Sequence, residues 1–203
     1  MGLCFGREYT LINLEKPCNE AAKDDPKLVE GVYHYKDGCK YAGEFSNGTP
    51  NGKGTWYHTG KFSGDRYEGA MINGKFCGIG TYYSRNGDIR TGEWKDDSMN
   101  GYGRYEEVNG YKYEGKFVKD IFDGYGISYE GKIGENTYKI VYDGQWYRGN
   151  RNGQGLEIIH RIDGSVEVYR GTWENGKKQG YFVVTLDGRQ FFEGTYENGI
   201  AKK

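Results

Sequence analysis

One skeleton recurs along almost the whole chain, and it constrains the fold more than any other feature. Its clearest copy is Tyr67 to Gly80, YEGAMINGKFCGIG: an aromatic, glycine two residues on, a large apolar residue two further, then Gly74, Gly78 and Gly80. The skeleton starts again at Tyr41, Arg90, Tyr113, Tyr142 and Tyr169, and Phe192 opens a truncated copy, FEGTYENG. Intervals between starts are 26, 23, 23, 29, 27 and 23 residues, a basic period of 23 with insertions. Such a period denotes stacked supersecondary units, not a conventional single core. Departures do not break the phase: Arg90 replaces the first aromatic, Met71 the second, Asp97 and Asp120 a glycine, and Phe182 the last glycine.

Each copy reads as a β-hairpin. Alternate side chains of a strand share a face, so Tyr67, Gly69 and Met71 point one way and Glu68 and Ala70 the other. Tyr142, Gly144 and Trp146 repeat the arrangement, as do Tyr169, Gly171 and Trp173. Asn73-Gly74, Arg148-Gly149, Asn175-Gly176, Asn86-Gly87 and Asn109-Gly110 supply turns with positive φ. The second strand is expected to follow the Gly-x-Gly pair. The insertions, at about 58–66, 130–141 and 160–168, are expected as longer loops on one side. The predicted fold is all-β: a single-layer antiparallel meander of stacked hairpins, elongated and twisted. Residues 31–203 are the array, about six repeats with partial ends, and residues 1–30 a separate N-terminal segment.

Composition agrees with a thin sheet. Glycine is 35 and tyrosine 20 of 203 residues, while the hydrophobic fraction is only 35%. That cannot build a thick aliphatic core, but rings burying about 150–250 Å² each can hold a sheet together. Charge is balanced, 28 Lys+Arg against 29 Asp+Glu, with no long basic block. Nucleic acid is therefore not an expected partner, because phosphate binding needs a concentrated basic face. The Gly-x-Gly pairs are in phase with the repeat and never complete a phosphate loop. Cys4, Cys18, Cys39 and Cys77 have no C-x-x-C spacing, and His34, His58 and His160 no helical i, i+4 partner, so no metal site follows. No G-x-S-x-G elbow occurs. The reading is a non-enzyme without cofactors.

The repeat resembles the MORN family, named for a "membrane occupation and recognition nexus", over about residues 31–199. The resemblance implies a protein-binding platform associated with membranes. Outside the repeats, the opening MGLCFGRE has Gly2 after the initiator Met and Cys4 two further on, matching a myristoylation site with an adjacent palmitoylation cysteine, although Gly6 stands where Ser or Thr is preferred. Two acyl chains anchor stably where one does not. The expected role is a scaffold on the cytoplasmic face of a membrane, linking it to a cytoskeletal or motor protein. The alternatives are a phospholipid-headgroup module, disfavoured by the charge balance, and an accessory subunit positioning an enzyme on another chain.

The face of rings and glycines is the predicted groove for an extended or helical guest segment. Its residues are Arg90, Trp94, Tyr113, Phe117, Tyr142, Trp146, Arg148, Tyr169 and Trp173. Trp, Tyr and Arg dominate interface energies, and the arginines can meet acids on the guest. The last partial repeat leaves a strand edge to be covered. Phe192 and Tyr196 are therefore predicted to mediate self-association, as a homodimer through the C-terminal repeat.

Overall fold

The computed structural model describes residues 29–131 and 138–202. They form one fifteen-stranded antiparallel sheet whose strand order is the sequence order. Strand β1 (Val29–His34) stands at one end, followed by the pairs β2 (Lys40–Ser46) with β3 (Thr49–Tyr57) and β4 (Arg66–Ile72) with β5 (Lys75–Tyr83). Then come β6 (Ile89–Lys95) with β7 (Ser98–Glu106), β8 (Tyr111–Val118) with β9 (Ile121–Gly131) and β10 (Tyr138–Tyr147) with β11 (Asn150–His160). The pairs β12 (Val166–Glu174) with β13 (Lys177–Leu186) and β14 (Arg189–Glu197) with the two-residue β15 (Ile200–Ala201) complete the sheet. Fifteen strands about 4.8 Å apart make a ribbon roughly 70 Å long. The chain is thus the all-β, single-layer meander that its period predicts. The first described strand begins at Val29. Gly2, Cys4 and nearly all of the N-terminal segment lie outside the described residues.

The registers line up one glycine per strand. Gly31, Gly43, Gly54, Gly69, Gly80, Gly92, Gly103, Gly115, Gly126, Gly144, Gly155 and Gly171 are successive cross-strand partners, and Phe182 and Gly194 continue the row. The Gly-x-Gly pair therefore lies inside the second strand rather than before it, because its last glycine must face the glycine of the first strand. Just past the row each repeat hairpin has a register shift, between Gly43 and Phe45, Gly69 and Ala70, Gly92 and Trp94, Gly115 and Phe117, Gly144 and Trp146, and Gly171 and Trp173. Such bulges bend a strand and interrupt its hydrogen-bond ladder.

Two kinds of turn join the strands. Asn73-Gly74, Arg148-Gly149 and Asn175-Gly176 have both residues at positive φ, between 48° and 80°. At Asn86-Gly87 and Asn109-Gly110 only the glycine is positive, at 98° and 96°. These are wider loops, closed by Ser84 N–H donating to Asp88 O and by Glu107 N–H to Tyr111 O. The insertion at 160–168 is absorbed differently from expectation. Strands β11 and β12 lengthen and pair through His160 and Val166, leaving only a short loop.

Asp97 and Asp120 also have a physical reason. Each stands at the second turn position, with φ of 69° and 66°, and accepts a backbone N–H from the preceding hairpin: Phe76 to Asp97 Oδ1 at 2.8 Å, Met99 to Asp120 Oδ1 at 2.9 Å. In the first hairpin the corresponding residue is Pro50, which has no N–H, and Gly74 suffices at the turn, donating to Pro50 O. Replacing Asp97 by glycine suits the turn but leaves the Phe76 N–H without this acceptor. The expected cost is about 1 kcal/mol, read as a lower urea midpoint.

Candidate partner-binding face

The face carrying Tyr67, Gly69 and Met71, here the front face, is built on the glycine row. A Cβ on Gly80 would stand 2.2 Å from the Tyr67 hydroxyl, and one on Gly126 2.3 Å from that of Tyr113. The phenols of Tyr41, Tyr67, Tyr113 and Tyr142 lie across the row and fill it. Each donates to the carbonyl three residues on, at the bulge: Glu44, Ala70, Lys116 and Gln145, at 3.2, 3.1, 3.0 and 3.0 Å. The bulge frees an acceptor and the buried phenol takes it, which satisfies both groups. Tyr67 stacks on Phe76 and Tyr113 on Phe122, both with centroids 3.8 Å apart.

Where the skeleton departs, another side chain fills the same space. Arg90 has no ring to offer, and Met99 Cε comes within 2.3 Å of where a Gly103 Cβ would be. In the last full hairpin the Phe182 ring fills the space over Gly171, again too close for a Cβ, at 2.6 Å. Tyr169 is left half-buried, its hydroxyl donating to Glu167 and its ring under the Lys178 ammonium at 3.9 Å.

Burial raises the phenol pKa values, to about 12 for Tyr41 and Tyr142 and well above the ordinary phenol range for Tyr67 and Tyr113. A raised folded pKa favours the protonated phenol. The associated stability is fully present below pH 10 and is lost as pH rises from about 10 through the folded values. The urea midpoint should therefore hold to about pH 9 and fall steeply above 10, with tyrosinate absorbance rising as the chain unfolds.

The predicted groove residues divide. Trp94, Tyr113, Phe117, Tyr142, Trp146 and Trp173 are all 8% exposed or less. They pack the sheet and are not displayed, because the glycine row that was expected to admit a guest is occupied by the chain's own rings. Trp94 and Trp146 donate Nε1–H to Gly80 O and Gly126 O of the preceding repeat, both at 3.0 Å. Arg90 is exposed beside the Tyr105 ring, as a groove residue would be. Arg148 is not beside the front rings. It sits in a turn with its guanidinium 5.2 Å from the centroid of Tyr147, which points to the back face. Phe192 and Tyr196 are half-buried front-face residues that pack on each other, with Tyr196 also against Phe182. Tyr196 and Glu197 of β14 pair with β15, and Lys202 N–H donates to Thr195 O.

The front-face aromatics with surface left over are others. Trp56, Tyr82 and Tyr105 alternate with Tyr41, Tyr67, Arg90 and Tyr113 in the same cross-strand row and are half-buried. Tyr82 and Tyr105 donate to Asp65 at 2.6 Å and to Asp88 at 3.2 Å, which ties their hydroxyls to the adjoining loops. On the back face the middle residue of Gly-x-Gly supplies exposed Tyr102, and the equivalent position between Gly180 and Phe182 supplies Tyr181, 60% and 56% accessible. The alternation of inward and outward positions carries that signal in the sequence. Among the described residues no group of three or more His, Cys, Asp or Glu could hold a metal ion, and no helix is long and apolar enough to cross a membrane.

Comparison with known proteins matches this geometry. The chain is 28% identical to human alsin over 214 aligned positions, covering 95% of this chain and 11% of alsin. Mouse alsin is 30% identical over 82% of this chain and 8% of its own length. MORN repeat-containing protein 3 of Xenopus laevis is 30% identical over 49% of this chain and 31% of its length. The chain thus spans about a tenth of the alsins it matches. The MORN repeat model matches residues 23–40, 41–61, 67–89, 91–110, 113–129, 142–158 and 169–181. With one hairpin per match from residue 41 onward, and most of the residues matched, the chain belongs to the MORN repeat family.

Proposed function

We propose that this chain is a non-catalytic adaptor that holds a segment of a partner protein against its front face while its N-terminus holds it at the cytoplasmic side of a membrane. The observation that supports the reading is the half-buried row Trp56, Tyr82 and Tyr105 with the exposed Arg90 beside it. A ring packed on one side and open on the other is ordered before binding, so little entropy is lost when a guest covers it. Gly2 and Cys4 would supply the membrane attachment, and a cytoskeletal or motor protein is the class of partner that the family resemblance suggests. This groove is shallower than the one first expected. It uses Arg90, Tyr105, Tyr82, Trp56 and the open flank of Tyr169 rather than the buried tryptophans.

A photo-crosslinking residue placed at position 90 in cells tests this. A discrete protein adduct should form there and be absent when the same group replaces back-face Tyr181. Adducts with lipid alone would support the headgroup-binding alternative and overturn the adaptor. In the same cells Gly2→Ala should release the chain from membranes without removing the protein adduct.

A further inference from the structure

The front face changes chemistry along its length. At the position paired across the hairpin with the second large apolar residue, the earlier hairpins have Pro50, Phe76, Met99 and Phe122, whereas the last two full hairpins have Arg151 and Lys178. In the aromatic row, the place held by Trp56, Tyr82 and Tyr105 is held by Glu157 between Tyr142 and Tyr169. Arg151 Nη1 lies 2.6 Å from Glu157 Oε1, and Lys178 Nζ contacts Glu157 Oε2. The guanidinium also packs over Tyr142 at 4.9 Å and the ammonium over Tyr169 at 3.9 Å. All three charged side chains are partly withdrawn from water, 26%, 18% and 19% exposed for Arg151, Lys178 and Glu157. Beside them Arg161 pairs with the buried Glu167 at 2.7 Å.

Two cations share one carboxylate. The remaining pair, Arg161 with Glu167, is balanced, so among the described residues these five side chains carry one positive charge in excess, in a partly desolvated setting. There a charge-assisted hydrogen bond is stronger than at an open surface. We propose that Arg151 and Lys178 form an acid-reading pocket, which takes a carboxylate of the guest segment while the aromatic half of the face takes an apolar anchor. This rests on the peptide-binding reading above. From Tyr105 in β7 to Glu157 in β11 is four strand steps, about 19 Å, or roughly six residues of extended chain. The guest is therefore an acidic peptide with Asp or Glu about six residues from a large apolar residue. A peptide is favoured over a membrane because a single net charge cannot hold an anionic surface, where each basic residue adds only about 1 kcal/mol.

The test selects a displayed library of random 16-residue peptides on the whole chain. Enriched peptides should carry an acid at that spacing from an aromatic or aliphatic anchor. Changing the acid of a synthesised winner to its amide should weaken binding about tenfold or more, and raised salt should do the same to the acidic form. Glu157→Gln frees both cations and should tighten the acidic peptide about threefold, a gain that a merely structural Glu157 would not give. The triple change Arg151→Gln, Glu157→Gln, Lys178→Gln should abolish the preference for acid over amide. Should that variant fail to fold, Glu157→Gln decides alone. Enriched peptides without acids, or a weaker complex with Glu157→Gln, overturn the pocket and leave the peptide-binding face standing. No enrichment at all overturns both. Binding of phosphatidylserine vesicles that depends on Arg151 and Lys178, without peptide binding, assigns the charge to lipid and overturns the proposal.

Discussion

Trp146→Ala is expected to destabilise the array by about 3–5 kcal/mol, the range for removing a buried tryptophan. The indole lies between two repeats. It contacts Tyr142 of its own hairpin, centroids 5.3 Å apart, and Tyr113 and Phe122 of the hairpin before, at 5.4 and 5.6 Å. Its N–H reaches across to Gly126 O. Alanine removes the ring from all three neighbours and loses that hydrogen bond. Repeat arrays are stable largely through such neighbour-to-neighbour interfaces, so the loss falls on the seam between β9 and β10. The melting temperature should fall by roughly 10 °C or more for a chain of this size. Guest binding should fall only in step with unfolding. A melting curve that stays in place while guest affinity drops tenfold would return Trp146 to an open groove and overturn the packing described above.

Gly126→Ala is expected to cost at least about 3 kcal/mol, at or beyond the usual range for overpacking. The new methyl would sit 2.3, 2.4 and 2.5 Å from the hydroxyl, Cζ and Cε2 of Tyr113. That ring is fully buried and bonded to Lys116 O, so it has nowhere to move without giving up its stack on Phe122. Gly31 is the control. It belongs to the same row, yet a Cβ there would meet Phe45 at an ordinary 3.6 Å. Gly31→Ala should be nearly neutral. A Tyr113→Ala background should relieve most of the cost of Gly126→Ala, the coupling that two groups sharing one space must show. Equal costs at Gly31 and Gly126, or no coupling with Tyr113, would show that the row is held in register for backbone reasons and not as a seat for rings.

The period, the hairpins and the single layer are legible in the sequence because each depends on residues close together. Tyr67, Gly69 and Met71 alternate within one strand, and Asn73-Gly74 closes it. The use of the glycines is less legible, because it depends on register between strands. Nothing within YEGAM says that Gly69 will face Gly80, and only that pairing makes a trough for Tyr67 to fill. The same register explains why Met99 can stand in for the missing ring at Arg90, and Phe182 for a glycine: each fills the trough from the opposite strand. Arg148 departs from its expected place because a turn at positive φ aims its side chain independently of the strand alternation that places Trp146. The cluster of Arg151, Glu157 and Lys178 does have a signal in the sequence, but one that only alignment by phase brings out. These are the positions where the last repeats exchange aromatic or aliphatic residues for charges.

Every strand of the described residues bonds only to its neighbours in sequence, and the sheet begins and ends at opposite ends of the ribbon. A load applied between those ends acts across the strands, not along them. It would open the ladders singly, from one strand to the next like a zip, in place of shearing many hydrogen bonds together. Each freed hairpin of a 23-residue unit would release roughly 70 Å of extended chain. A body tethered by one end to a membrane and by the other to a moving partner would then yield in steps and refold behind the load. The fold is in that sense a spring of serial links, each as strong as one glycine row and the rings lying in it.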